Sequence, residues 1–105
     1  MSLATFLTAT YQNRVFHMTT QGLMIKGKGT KVHCLEGEFF GNKAAGIEVA
    51  DGANVVLVEN VVKHNGGQGV LVRENCLGSM VRNQVQENSV GNVVSYSSER
   101  KFVVG

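Results

Sequence analysis

A repeat with a fixed interval constrains this chain more than any other feature. Stepping by 23 residues superposes Asn42 on Asn65 and Asn88, Phe39 on Val62 and Val85, and Gly37 on Asn60 and Asn83. The clearest copy runs from Gly46 to Gly69 and reads GIEVADGANVVLVENVVKHNGGQG. Self-similarity at a period of about 20 to 50 residues is the mark of a solenoid, propeller or repeat array, and it takes precedence over local propensity.

Between the first two copies the step is 24, since Asn13 falls on Gly37, Val15 on Phe39 and Gly22 on Gly46. The interval from Asn13 to Gly22, Gly37 to Gly46, Asn60 to Gly69 and Asn83 to Asn92 stays at nine. The extra residue therefore belongs to Lys26-Gly27-Lys28-Gly29-Thr30-Lys31, which is predicted to be a loop.

Each copy opens on a short strand: Leu23-Met24-Ile25, Ile47-Glu48-Val49, Val70-Leu71-Val72 and Val93-Val94-Ser95. A polar turn, a second extended run and an Asn-bearing bend follow. Apolar residues alternate along these runs, so Ile47, Val49, Leu57 and Val62, with Val70, Val72, Met80 and Val85, are expected to line one interior. A helical reading fails on the same pattern, because the apolar spacing is two, Val dominates, and Gly and Asn interrupt throughout. The Leu-x-x-Leu-x-Leu pattern of leucine-rich repeats is missing. There remains an all-β parallel β-helix of about four coils with no substantial helix, in which equivalent residues stack at roughly 4.8 Å. A period of about 23 favours the right-handed form, since left-handed coils of this kind are built on hexapeptides.

The pattern Val-x-x-Asn-x-Val-x-x-Asn-x-x-x-Gly-Val-x-Val, carried by Leu57, Asn60, Val62, Asn65 and Gly69 to Val72, resembles the right-handed parallel β-helix repeat. That repeat occurs in pectate lyases and other polysaccharide enzymes, and in non-enzymatic proteins such as β-helix-containing F-box and Shc-binding proteins. The resemblance covers roughly residues 8 to 95. It implies the fold and no particular activity, because the shared residues are structural and no catalytic motif carries over.

The expected organisation is a single domain over 1–105, with coils at about 1–21, 22–45, 46–68 and 69–91 and a partial coil at 92–105. Met1-Ser2-Leu3 is set aside as a segment that need not be native. In the repeat register Met1 aligns with Ile25, and Phe102-Val103-Val104 with Val56-Leu57-Val58. Both ends then fall inside a coil without a closing element, as in a piece of a longer chain or in a stack covered by its own copies.

Composition adds exclusions. Net charge is +2 with both signs interspersed, which gives no reason to expect a nucleic acid partner. No segment spans a membrane. Two Cys, Cys34 and Cys76, with no Asn-x-Ser/Thr acceptor and no apolar leader, favour a reducing, intracellular setting. Cys34 stacks on Leu57 and Met80 as a buried thiol, too far from Cys76 for a disulfide.

Several constellations offer candidate sites. The ladder residues Asn42, Asn65, Asn88, Asn60 and Asn83 are structural in expectation, since Asn tolerates a left-handed bend and its amide can bond the backbone or the Asn of the next coil. Gly22-x-x-x-x-Gly27-Lys28 lacks the Ser or Thr of a phosphate loop and leads into a strand, leaving Lys26, Lys28 and Lys31 as a solvated loop with a weak pull on anions. His17, Gly41, His64 and Glu87 share a file but offer only a pair, so no metal and no cofactor is expected. Thr8 and Thr10 do not recur, which excludes a regular ice- or mineral-binding face.

Glu36, Glu59 and Arg82 stack with Gln12 in another file. They are the residues an acid–base or carbohydrate-binding site would use, although an exposed ladder with a Glu59–Arg82 ion pair is the simpler account. The outward files carry more apolar area than a soluble monomer exposes: Phe16 and Phe40 flank Lys63, Leu35, Val58 and Val81 form a row, and Met24, Leu71 and Val94 surround Glu48. The expected function is therefore a non-catalytic β-helix scaffold or protein-interaction module that self-associates, with Phe16, Phe40, Leu71 and Val94 as interface candidates. The alternative is a carbohydrate-binding or polysaccharide-cleaving unit acting through Glu36, Glu59 and Arg82.

Overall fold

In the computed structural model, residues 2–3, 8–11, 14–16, 18 and 20–105 are described, with side chains described for 18 and 20–105. In chain order the strands are β1 (Ser2–Leu3), β2 (Thr8–Tyr11), β3 (Arg14–Phe16), β4 (Leu23–Lys26), β5 (Lys31–Leu35), β6 (Glu38–Phe40), β7 (Ile47–Ala50), β8 (Asn54–Val58), β9 (Val61–Lys63), β10 (Gln68–Val72), β11 (Leu77–Val81), β12 (Gln84–Gln86), β13 (Gly91–Ser95) and β14 (Phe102–Val104). Every third strand joins the same sheet. The first sheet runs β1-β4-β7-β10-β13, the second β14-β11-β8-β5-β2 and the third β12-β9-β6-β3. All pairings are parallel, so the chain winds as a β-helix whose coils each contribute one strand to every sheet. No helix long and apolar enough to cross a membrane occurs among the described residues.

Alternation along each strand builds the core. Val55 and Leu57 of β8 are buried between half-buried Asn54, Val56 and Val58, and β5 repeats this with Val32 and Cys34 inside. Leu23, Ile25, Ile47, Val49, Val70 and Val72 come from the first sheet and Phe39 and Val62 from the third, so the three inner faces fill one column. Cys34, Leu57 and Met80 stack as expected. Both thiols are free, and burial pushes the Cys34 thiol up to about 12.

The Asn files stand in columns. The Asn65 side-chain oxygen accepts from the Asn42 backbone N–H at 3.1 Å and from the Asn42 amide at 2.9 Å. One coil on, Asn88 does the same for Asn65, at 3.1 and 2.9 Å. In the second file Asn60 receives the Gly37 N–H at 2.8 Å, and Asn83 receives the Asn60 N–H and amide at 2.9 and 3.0 Å. Each amide also reaches back to a carbonyl of the preceding coil, Asn65 to Phe39 and Asn60 to Cys34. Asn42, Asn60 and Asn65 are at most 2% exposed, so these bonds satisfy backbone groups that water does not reach.

The conformation of the bend differs from the expectation. The left-handed residue is the one before each ladder position: Glu36, Glu59 and Arg82 in one file, Gly41, His64 and Glu87 in the other, with φ between 52° and 66°. The Asn side chain is committed to the neighbouring coil, and its predecessor makes the turn. Gly22, Gly46 and Gly69 are required for a separate reason. A Cβ at Gly46 would stand 2.5 Å from Val62 and 2.8 Å from the Asn65 amide, so the ladder itself occupies that space.

Register holds with three corrections, one of them that β2 pairs with β5 at a step of 23 although β3 pairs with β6 at the expected 24. β4 pairs with β7 at a step of 24 and β5 with β8 at 23, which puts the insertion in the 27–30 turn as the repeat implied. A second insertion was not visible in the repeat: Ser95 pairs with Val72, but Phe102 pairs with Gly78 and not with Ser79, so one extra residue lies in 96–101. Phe102 therefore shares a file with Val55 and points inward at 2% exposure, instead of outward beside Val56. At the other end Leu3 pairs with Ile25, displacing the expected partner Met1, which lies outside the described residues.

Candidate interaction surface

The three outer faces differ. On the first sheet, Glu48 and Leu71 are 7% and 4% exposed and Met24 and Val94 are half-buried. Glu48 accepts from the Gln21 amide at 2.8 Å and from Arg73 Nε at 3.2 Å, so its carboxylate is paired under neighbouring side chains. This corrects the reading of Leu71 as a solvent-facing contact residue. The partner was hard to find from the repeat, because Arg73 lies one coil on and one position past the end of β10. On the third sheet Phe40 is half-buried. Phe16 pairs with Phe40 through the backbone, but its side chain falls outside the described ones, as do Gln12, Asn13 and His17.

The second sheet is the open one. Its outward positions form three rows across the coils: Lys31, Asn54 and Leu77; then His33, Val56, Ser79 and Val103; then Leu35, Val58 and Val81. Leu77, Val81 and Val103 are 41%, 37% and 54% exposed, beside half-buried Leu35, Val56 and Val58. The face owes its character to β-branched residues at alternate positions, which favour the strand and leave methyl groups on both sides of it.

Charge flanks this apolar strip unequally. Along the turn leading into the sheet, Lys28, Lys31 and Lys101 line one groove with Asn54, Asn75 and Leu77, and no carboxylate contributes to its lining. Lys101 occupies the position before Phe102 that Leu77 occupies before Gly78, and its ammonium donates to the Asn75 side-chain oxygen at 3.0 Å. The adjoining recess, towards the first sheet, carries Asp51, Arg73, Glu74 and Tyr96.

Beyond the opposite margin stand Glu36, Glu59 and Arg82, each at the left-handed bend that ends its strand. Arg82 donates to Glu59 at 3.3 Å with both side chains more than half exposed. The pair is an exposed rung on the outside of the coil, and neither residue lines the grooves above. His64 and Glu87 make a comparable exposed pair at 3.2 Å. Among the described residues no group of three or more His, Cys, Asp or Glu converges on a metal-sized site.

No curated protein and no solved structure matches the chain. Residues 8–104 match the family model described as the right-handed β-helix region, which agrees with the parallel coils, the stacked Asn files and the interior built from alternate residues. The chain belongs to the right-handed β-helix family.

Proposed function

We propose that this protein is a non-catalytic β-helix module that works as a scaffold by protein contact, associating with further copies of itself through the outer face of the second sheet. One observation carries this reading: Leu77, Val81 and Val103 lie exposed in neighbouring rows of one flat face, around half-buried Leu35, Val56 and Val58. Contiguous apolar area with a charged rim is the anatomy of a contact surface. Phe40 and Val94 then contribute to packing within the chain.

Sedimentation equilibrium tests it. The expected outcome is an average mass that rises above the monomer with concentration, and a Val81→Lys/Val103→Lys variant that stays monomeric with an unchanged circular dichroism spectrum. A wild-type chain that remains monomeric at millimolar concentration defeats the proposal. The carbohydrate reading through Glu36, Glu59 and Arg82 has its own check, since a polysaccharide bound there raises Tm by mass action. With Glu59 already bonded to Arg82 on an open bend, acidic polysaccharide is expected to leave Tm unchanged.

A further inference from the structure

We infer that Asn92 terminates the asparagine column: its side-chain oxygen stands in for a further rung after Asn88, and its bulk keeps another coil from stacking on the third sheet beyond β12. This goes beyond the association proposed above and does not depend on it.

Inside the column every rung is bonded in one way. The side-chain oxygen of Asn65 accepts from both the N–H and the amide of Asn42, and that of Asn88 accepts from both groups of Asn65. Asn88 presents the same two donors. The oxygen that takes them is that of Asn92, four residues on, at 3.4 Å from the N–H and 3.2 Å from the amide.

The repeat register shows what was exchanged. Asn92 occupies the position of Gly22, Gly46 and Gly69, where a Cβ would stand 2.7, 2.8 and 2.5 Å from the amide nitrogens of Asn42, Asn65 and Asn88 respectively. Glycine is thus required wherever a rung is to sit on that coil, and a side chain there takes the space of the rung. The turn before it is altered as well. Gly91 adopts φ 146°, a conformation open to glycine, whereas Ala45 and Gln68 hold that position without a positive φ.

A second copy laid end to end offers Asn88 nothing in exchange. The rung position of the first coil is held by Met18, whose N–H donates to the Asn42 side-chain oxygen at 3.0 Å but whose own side chain carries no oxygen. Open solenoid ends and strand edges invite further stacking unless they are closed. Here one exposed side chain closes the column.

Two lengthened chains test the exclusion. One carries a second copy of residues 69–91 after Gly91, and the other a second copy of residues 70–92 after Asn92. They differ only at the junction, which is Gly in the first and Asn in the second, and each adds one coil with one more Asn rung. The first is expected to stack that coil and to show a urea midpoint above that of the 105-residue chain, because an added repeat brings its own neighbour contacts. The second is expected to fall at or below it. Equal midpoints for the two overturn the exclusion. Failure of the first to fold overturns it too, since Gly at the junction is all that a further coil should need.

Hydrogen exchange in the unlengthened chain tests the oxygen. Asn92→Ala is expected to speed exchange of the Asn88 N–H about fivefold, roughly what one net hydrogen bond contributes, whereas Asn92→Asp, which keeps an acceptor, leaves it within about twofold. An Asn88 rate unchanged in Asn92→Ala overturns the closure.

Discussion

Each coil turns in two ways, and the two behave differently. At the bends between the second and third sheets, and after the third, a left-handed residue precedes an Asn whose amide is bonded into the next coil. At the turn between the first and second sheets no such column exists, and the chain passes through Lys28, Gly52 and Asn75 with local bonds such as Thr30 N–H to the Gly27 carbonyl. Two changes of length fall in that turn, at 27–30 and at 96–101, and a third, where the step goes from 23 between β2 and β5 to 24 between β3 and β6, falls at the bend whose ladder position is Gly37 and not Asn. Between coils that a buried Asn amide joins, length is constant. Where none does, length varies, and the grooves around Lys28, Gly52 and Asn75 open in the turn between the first and second sheets.

One added residue tests this contrast most severely. A Gly inserted between Glu59 and Asn60 shifts the ladder against its neighbours and turns every following side chain to the wrong face, so urea unfolding is expected to show a loss of at least about 4 kcal/mol or no folded state. The same Gly inserted between Gly52 and Ala53 is expected to cost about 1 kcal/mol or less, since slightly longer loops are cheap to close. Equal losses at the two sites would show that the ladder has no special hold on register.

Asn65→Ala comes next. It strips an acceptor from the buried Asn42 N–H and amide and a donor from the Phe39 carbonyl, and leaving such groups unsatisfied is expected to cost about 3 kcal/mol in a urea titration. Asn88 is half-buried and more open to water, its amide donating within its own coil to the Gln86 carbonyl at 3.1 Å and the Asn92 side-chain oxygen at 3.2 Å, so Asn88→Ala is expected to cost about half as much.

The thiols sharpen the comparison by pH and by rate. Burial raises the Cys34 thiol from 9.0 to about 12. The unfolded chain therefore releases this proton first, and stability present below pH 9 is expected to fall steadily as pH rises from 9 towards 12. A pH series of urea midpoints on the wild type and on Cys34→Ala checks the sign, because only the wild type carries this slope. Burial also raises Cys76, but the Gly52 and Ala53 backbone N–H groups oppose the shift. Thiol labelling at pH 8 should therefore reach Cys76 through opening of the turn, and Cys34 only through global unfolding. The smallest expected effect is at Glu87, held at φ 56°. Glu87→Gly relieves a left-handed side chain and loses an exposed ion pair, for a net gain in stability of up to about 0.5 kcal/mol by thermal melting.

Much of this architecture was readable before any coordinates. The step of 23 put Asn42, Asn65 and Asn88 in one column, the interval of nine placed the first insertion, and alternation marked Ile47, Val49, Leu57 and Val62 as interior. The second insertion escaped because no ladder Asn follows it in the sequence to count by, so Phe102 was turned to the wrong side. The outer faces escaped for another reason. Glu48 and Leu71 occupy outward positions of the first sheet, yet Gln21 and Arg73 close over the carboxylate, and a repeat register contains nothing about side chains that lean across coils.

The order of residues along the chain determined the coil length, the stacked files and the identity of the interior, because a periodic pattern of apolar and amide side chains has one winding that buries the first and bonds the second. Only the folded molecule decided which outer face stays open and where its charges stand. That outcome depends on how long side chains from neighbouring coils reach over one another and on the length of each turn, and both are settled in three dimensions.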